Sequence, residues 1–321
     1  MRISAHAAAT HAGRKRRHNE DAYVERPPLF AIADGMGGAR AGEVASRLAA
    51  AALEDNGVAA GKPEERVVEL IQEANRRVFE RAHEDASASG MGTTMTVAIV
   101  DDGGVTIGHV GDSRAYRLRD GALQQLTDDH SLVAELVRSG RLTPEEADAH
   151  PQRSVITRAV GTDPDVDVDA FTVAAEPGDV YLLCSDGLTD MLDDGGIRSV
   201  FEEHPDDLHA AAKGLVNAAN RVGGDDNITV VCFAMDDDVP EGDTVVGVDA
   251  PTEEDTLHGT TVLDVPTAVE PPEEDTPHGT TVLDVPTAVE PPEEERRGLF
   301  APALLGTAVA AIGVLVWLVL R

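Results

Sequence analysis

Three aspartate positions stand where short apolar runs end or begin. Leu29-Phe30-Ala31-Ile32-Ala33 runs into Asp34-Gly35, Tyr181-Leu182-Leu183-Cys184 runs through Ser185 into Asp186-Gly187, and Asp225-Asp226-Asn227 leads into Ile228 to Met235. Taken alone, each Asp-Gly reads as a turn, because Asp hydrogen-bonds its own backbone and Gly accepts positive φ. Three such acids, each abutting a wholly apolar strand, point to more. In an antiparallel pairing the start of one strand lies beside the end of its neighbour, so the carboxylates are expected to converge at one edge of the sheet. Carboxylates gathered without lysine partners repel one another unless a hard cation neutralises them. All-oxygen ligation suits Mg²⁺ or Mn²⁺.

The elements that must hold these acids are legible in part. Glu43 to Glu54 is Ala-rich and stops before Asn56-Gly57, a helix with a defined end. Pro63-Glu64-Glu65 opens a second helix, with Val67, Ile71, Ala74 and Val78 as its buried stripe. Thr93 to Val100 and Val105 to Val110 flank Asp101-Asp102-Gly103-Gly104, and Asp120-Gly121 separates Ala115–Leu118 from Leu123. Both are hairpin signals. Consecutive hairpins mean antiparallel sheet and disfavour a doubly wound parallel fold. Asp179 to Cys184 and Ile228 to Met235 read as further core strands, while Asp128 to Arg158 reads as a polar excursion with helical patches.

Charge divides the chain and excludes one class of partner. The 321 residues carry 26 Lys plus Arg against 59 Asp plus Glu, a net of −33, so nucleic acid is repelled. From Asp236 to Glu295 there are 19 acids and no Lys or Arg; the chain before Asp236 holds 40 acids against 23 bases. That acidic stretch contains a repeat. Glu253 to Pro266 recurs from Glu273, differing only by Leu257 against Pro277. Its prolines forbid long helices, and residues 239–297 are read as a disordered linker. Leu299 to Leu320 is uncharged and as a helix would span about 33 Å, enough for a bilayer core. Arg296-Arg297 before it and Trp317 near its far end favour a cytoplasmic N-terminal side. Cys184 and Cys232 lie inside apolar runs and read as core thiols of a reducing compartment, and no signal peptide opens the chain. Expected are a folded domain over residues 1–238, the linker, and one transmembrane helix over residues 298–320.

Six blocks then carry a resemblance. Arg16-Arg17-His18-Asn19-Glu20-Asp21, Asp34-Gly35-Met36-Gly37-Gly38, Gly92-Thr93-Thr94, Gly111-Asp112-Ser113-Arg114, Ser185-Asp186-Gly187-Leu188 and Gly223-Gly224-Asp225-Asp226-Asn227 resemble, in order and spacing, the signature blocks of the bacterial PPM family, the metal-dependent phosphatases of the 2C type. The resemblance implies an α+β fold, a four-layer αββα sandwich of two antiparallel sheets flanked by helices. It also implies hydrolysis of phosphoserine and phosphothreonine through direct attack by a hydroxide held between two metal ions. Asp34 would bridge the two ions and the Gly35 carbonyl would bind one. Asp186 and Asp226 would complete the pair, Glu20 would hold a metal-bound water, and Asp112 with Asp186 would form a third, weaker site. Arg16 would clamp the substrate phosphate, its planar fork matching two oxygens.

The cofactors so implied are two or three Mg²⁺ or Mn²⁺ ions. No cysteine nucleophile is needed, and no Cys-x5-Arg loop occurs. Met36 stands where eukaryotic members carry the His proposed as general acid; His109 and His150 are the nearby imidazoles, and neither is assigned. Asp128 to Arg158 corresponds to the flap of bacterial members. Phosphoprotein substrates, among them a cognate membrane Ser/Thr kinase, are the partners expected by analogy. Thr261 and Thr281, each three residues before an Asp, read as kinase targets whose phosphorylated forms suit a forkhead-associated reader. The contrasting reading is a membrane-tethered scaffold or pseudophosphatase that recruits partners through these acidic repeats.

Overall fold

Every strand of the folded region pairs antiparallel, in two sheets. The computed structural model describes residues 1–37, 41–56, 61–101 and 104–237. The linker, the apolar span at 298–320, and Thr261 and Thr281 lie outside these residues. Among the described residues, no helix is long and apolar enough to cross a membrane.

One sheet runs β1 (Arg2–His11), β11 (Ile228–Asp236), β10 (Val180–Cys184), β7 (Arg114–Arg119) and β8 (Ala122–Gln125). The other runs β2 (Asp21–Arg26), β3 (Leu29–Met36), β5 (Met95–Asp101), β6 (Gly104–Val110) and β9 (Asp169–Val173), with the short β4 (Gly92–Thr93) pairing to the end of β3. Helices α1 (Ala41–Asn56) and α2 (Pro63–Glu84) cover the β3 sheet, while α6 (Asp194–Glu203) and α7 (Leu208–Val222) cover the β11 sheet. The expected four layers are present.

This layering explains why strand sequences read as unbroken apolar runs rather than alternating ones. Antiparallel sheets commonly leave one face to water and then alternate; here both faces are covered. On β11, Val231, Phe233 and Met235 point between the sheets, whereas Ile228, Val230 and Cys232 point at α6 and α7. On β3, Phe30 and Ile32 face the inter-sheet core, and Leu29, Ala31 and Ala33 face α1 and α2. At the centre Phe30 stacks on Phe233 with centroids 4.4 Å apart, and Tyr181 stacks on Phe233 at 5.1 Å. These rings lock the sheets face to face.

The local signals hold where turn chemistry is strong. Asp120 and Gly121 take φ of 51° and 75°, the left-handed pair that a two-residue hairpin requires between β7 and β8. The predicted stripe of α2 is buried, with Leu70, Asn75 and Ala82 added. The excursion from Asp128 to Arg158 contains α3 (Leu132–Arg138), capped by Ser131, and α4 (Pro144–Asp148), opened by a Thr143/Glu146 capping box. Three strands were not anticipated. β1 is Ala- and His-rich, with little intrinsic preference for strand, and its extended form is fixed by pairing along the whole of β11. β2 and β9 likewise depend on their neighbours, β3 and β6.

One expectation needs correction. The three carboxylates do not converge at one sheet edge: Asp34 lies near the end of β3 in one sheet, while Asp186 and Asp226 flank β10 and β11 of the other. The meeting place is the end of the sandwich, between the sheets. Since Phe233 joins the two sheets, Phe233→Ala is expected to cost about 3–5 kcal/mol. Urea denaturation of the full chain measures this, and a loss below about 1 kcal/mol would show that the stack is not central.

Candidate metal centre and phosphate site

Asp34 is held through its backbone by Thr93 and Thr94. Its carbonyl accepts from Thr93 Oγ1 at 2.8 Å and from the Thr94 amide at 2.9 Å, and its amide donates to Thr94 Oγ1 at 3.0 Å. Thr94 Oγ1 also meets Ser113 Oγ at 2.7 Å, tying Asp34 to the turn that carries Asp112. Gly35 must be glycine. A Cβ there would lie 2.1 Å from the Gly42 carbonyl oxygen and 2.6 Å from that of Glu20, because α1 starts hard against the strand end.

Asp186 begins the short helix α5 (Asp186–Thr189) directly after β10. Gly187 lets that helix sit on β11, since a Cβ would lie 2.0 Å from the Asn227 carbonyl oxygen. Asn227 organises the remainder. Its Oδ1 accepts from the Glu20 amide at 2.7 Å, and its Nδ2 donates to the Ala12 and His18 carbonyls at 3.0 and 2.9 Å. One side chain thereby fastens the β1–β2 loop to the start of β11. Arg16, on that loop, places Nη2 2.7 Å from Asp226 Oδ2. The structure thus brings Arg16, Glu20, Asp34, Gly35, Asp112, Asp186 and Asp226 to one end of the sandwich.

The electrostatics of this end are adverse. Burial, then the charges of Asp21, Asp186, Asp112 and Asp226, push the Asp34 carboxyl well above its ordinary value. Burial, with Asp112 the foremost neighbouring charge, does the same to Asp186. Asp112 is pushed up to about 6 by burial and Asp129, and Glu20 is raised by burial and by Asp226 and Glu43, against the lowering pull of Arg16. Asp186 Oδ1 is sealed from solvent without a hydrogen-bond partner. A carboxylate oxygen in that position lacks the donor or cation that burial demands. Among the described residues no three His, Cys, Asp or Glu side chains close on one point as a ready-made cage. Mg²⁺-type sites commonly have few protein ligands and several waters, so a hard divalent cation fits this donor set.

Several contributors carried no role in the sequence reading. Asp21 accepts from Thr229 Oγ1 at 2.6 Å and Ser185 Oγ at 3.0 Å; burial pushes it up to about 6, and its Oδ1 is an orphan. His130 braces the Asp112 turn, its amide donating to the Gly111 carbonyl at 2.7 Å while its Nδ1 accepts from the Gly111 amide at 3.0 Å. The signal for Asp21 and Asn227 was adjacency to motif acids; for His130 there was none, because nineteen residues separate it from Gly111. Of the unassigned imidazoles, His109 is fully buried, bonded to Thr96 and the Asp128 carbonyl, and pushed down to about 3 by burial. It is a neutral structural group. His150 Nδ1 accepts from the Gln152 amide. Cys184 is fully buried, and burial lifts its thiol to about 12, as for a core residue. A cleft of about 700 Å³ runs from Asp112 and Asp186 along α3 and α4, crossed by Arg153 and Asp190 at 3.5 Å.

A sandwich of two antiparallel sheets with crowded carboxylates and an arginine at one end suits metal-assisted phosphoryl transfer. The sequence matches the family described as Protein phosphatase 2C over residues 10–217, and the chain belongs to that family. It is 40% identical over 233 residues to the serine/threonine phosphatase stp of Listeria innocua, covering 69% of this chain and 92% of that protein. Among solved structures it resembles the serine/threonine phosphatase PstP/Ppp of Mycobacterium tuberculosis, with a TM-score of 0.69 and 39% identity over 73% of this chain and 100% of the other. A PstP catalytic domain in complex with two manganese ions gives a TM-score of 0.67 at 37% identity, covering 73% and 99%.

The raised carboxyls set a pH dependence. A group whose folded pKa lies above its unfolded value stabilises the fold at low pH, and that contribution is lost as pH rises through the folded value. For Asp21 and Asp112 the loss runs from the ordinary carboxylate range up to about 6. The metal-free chain should lose stability from about pH 5 to about pH 7, whereas Mn²⁺ binds the ionised carboxylates and should rescue it increasingly. Thermal melts with and without Mn²⁺ at both pH values measure this. An equal gain in Tm at the two would contradict the carboxylate account.

Proposed function

We propose that the chain hydrolyses phosphoserine and phosphothreonine in proteins, reversing Ser/Thr kinase signalling. The observation that carries this reading is the set of buried, mutually repelling carboxylates beside an arginine, in a chain of this family. Asp34, the Gly35 carbonyl, Asp186 and Asp226 would hold two Mg²⁺ or Mn²⁺ ions, with Glu20 acting through water and Asp112 with Asp186 holding a third. When bound, the ions supply activation of the attacking water and neutralise charge developing on the phosphoryl group.

The chain's own residues do the rest. Arg16 Nη2 already donates to one oxygen of Asp226, and a phosphoryl group would offer its planar guanidinium two. The exchange would free Asp226 for its cation. The tie from Asn227 keeps the Arg16 loop in place, so phosphate binding would need little reordering. Asp34 cannot swing away, since Thr93, Thr94 and β4 grip its backbone.

The assay is hydrolysis of p-nitrophenyl phosphate and of a phosphothreonine peptide with Mn²⁺. Asp34→Asn or Asp186→Asn should lower turnover by about three orders of magnitude or more, each removing a charged ligand. Arg16→Ala should mainly raise KM. Full activity in EDTA-treated protein, or in Asp34→Asn, would overturn the mechanism and favour the scaffold reading.

The apolar run at 299–320 supports a single-pass anchor with the catalytic domain cytoplasmic and the acidic linker as its tether. Deleting residues 298–321 should move the protein from the membrane fraction to the soluble one; full-length protein already in the soluble fraction would end this reading. The repeats support phosphorylation of Thr261 and Thr281 by a cognate membrane kinase and capture by a forkhead-associated reader. Mass spectrometry after co-expression with that kinase decides it, and unmodified threonines would leave a tether only.

A further inference from the structure

The β1–β2 loop runs against the charge of the whole domain. Arg14, Lys15, Arg16, Arg17 and His18 are consecutive and all exposed, in a region where acids outnumber bases 40 to 23. The loop is also fixed in place. The Arg14 amide donates to the Gly224 carbonyl at 2.7 Å, the Lys15 amide donates to the same oxygen at 3.3 Å, and Asn227 grips both loop ends. Gly13, at φ +76°, allows this contact, for a Cβ there would lie 2.1 Å from the Asp226 carbonyl oxygen. The cationic run is therefore bolted to the segment that carries Asp226.

Two of its charges are used. Lys15 pairs with Asp225 at 2.6 Å, and Arg16 pairs with Asp226 at 2.7 Å. The side chains of Arg14 and Arg17 have no ion-pair partner among the described residues, although the protein offers carboxylates in excess. A solvated surface that merely kept this protein soluble would carry its prevailing negative sign. Unpaired guanidinium groups held beside the phosphate clamp instead present an anion-binding rim that extends past the phosphate itself.

We propose that Arg14 and Arg17 select phosphoresidues flanked by acidic side chains. The inference rests on the phosphatase reading and names its substrate class. The domain's net charge disfavours an acidic peptide, and a cationic loop beside the clamp is a place where such a substrate gains contacts that a neutral one lacks. The chain's own repeats supply an example of this chemistry, Glu253-Glu254-Asp255-Thr256 and Glu273-Glu274-Asp275-Thr276.

The probes are a phosphothreonine peptide copying residues 253–260 with phosphate on Thr256, a version in which the acidic triplet follows the phosphothreonine, and counterparts with Gln and Asn in place of the acids. In the full chain with Mn²⁺, at least one acidic peptide should exceed its neutral counterpart in kcat/KM by about five- to tenfold at low salt, with the margin shrinking as salt rises. Arg14→Gln/Arg17→Gln should erase the margin and leave p-nitrophenyl phosphate turnover unchanged, and Arg14→Glu/Arg17→Glu should invert it. Equal rates on acidic and neutral peptides by a chain that hydrolyses p-nitrophenyl phosphate would overturn the inference alone, as would a margin that survives in the Gln variant. Failure to hydrolyse p-nitrophenyl phosphate would overturn the phosphatase reading and this inference with it.

Discussion

Like charges crowded at the end of the sandwich govern the rest of the structure. Asp34, Asp112 and Asp186 sit within one another's fields, together with Asp21 and Asp226, and burial strengthens every repulsion because little water screens it. A fold left to itself would not assemble such a set. It persists here because each acid is fixed by backbone contacts that cannot relax without unpairing a strand. Thr93 and Thr94 hold Asp34, His130 holds the turn before Asp112, and α5 on β11 holds Asp186. A divalent cation held among these acids would relieve the destabilisation stored in this way.

The four layers make that rigidity available. Each central strand is buried on both faces, so its end is positioned by two cores at once: the stacked rings of Phe30, Phe233 and Tyr181 on one side and the helix-facing aliphatics on the other. Glycine appears where backbone must approach backbone, at Gly35 against α1 and at Gly187 against β11. The motif glycines beside the acids thus have a packing reason independent of any ligand. Room for a substrate would lie beside the acids, with the β1–β2 loop, held by Asn227 and the Gly224 carbonyl, on one side and the α3–α4 cleft on the other.

Much of this could be read in the sequence because the acids abut long apolar strands, and strand ends are strong markers. Asp34, Asp186 and Asp226 were identifiable from that pattern, and the hairpin at Asp120-Gly121 from its turn chemistry. What stayed hidden depends on partners distant in sequence. Asp34 lies in a different sheet from Asp186 and Asp226, which no local pattern encodes. β1 has poor strand composition and becomes a strand only through β11, more than 200 residues away. His130 and Asn227 act through backbone groups of other elements, so their residue type alone did not mark them. That Arg14 and Arg17 have no ion-pair partner among the described residues was equally invisible, since a run of cations in sequence does not show which are already paired.

The central claim is that the repelling carboxylates exist to surround divalent cations. The most direct test is anomalous diffraction from crystals grown with Mn²⁺. The account predicts two strong peaks at the end of the sandwich, one of them touching Asp34, Asp186 and Asp226 and the other touching Asp34 and the Gly35 carbonyl. Peaks confined to other acidic surfaces, with Asp34 and Asp186 free of metal at saturating Mn²⁺, would contradict it.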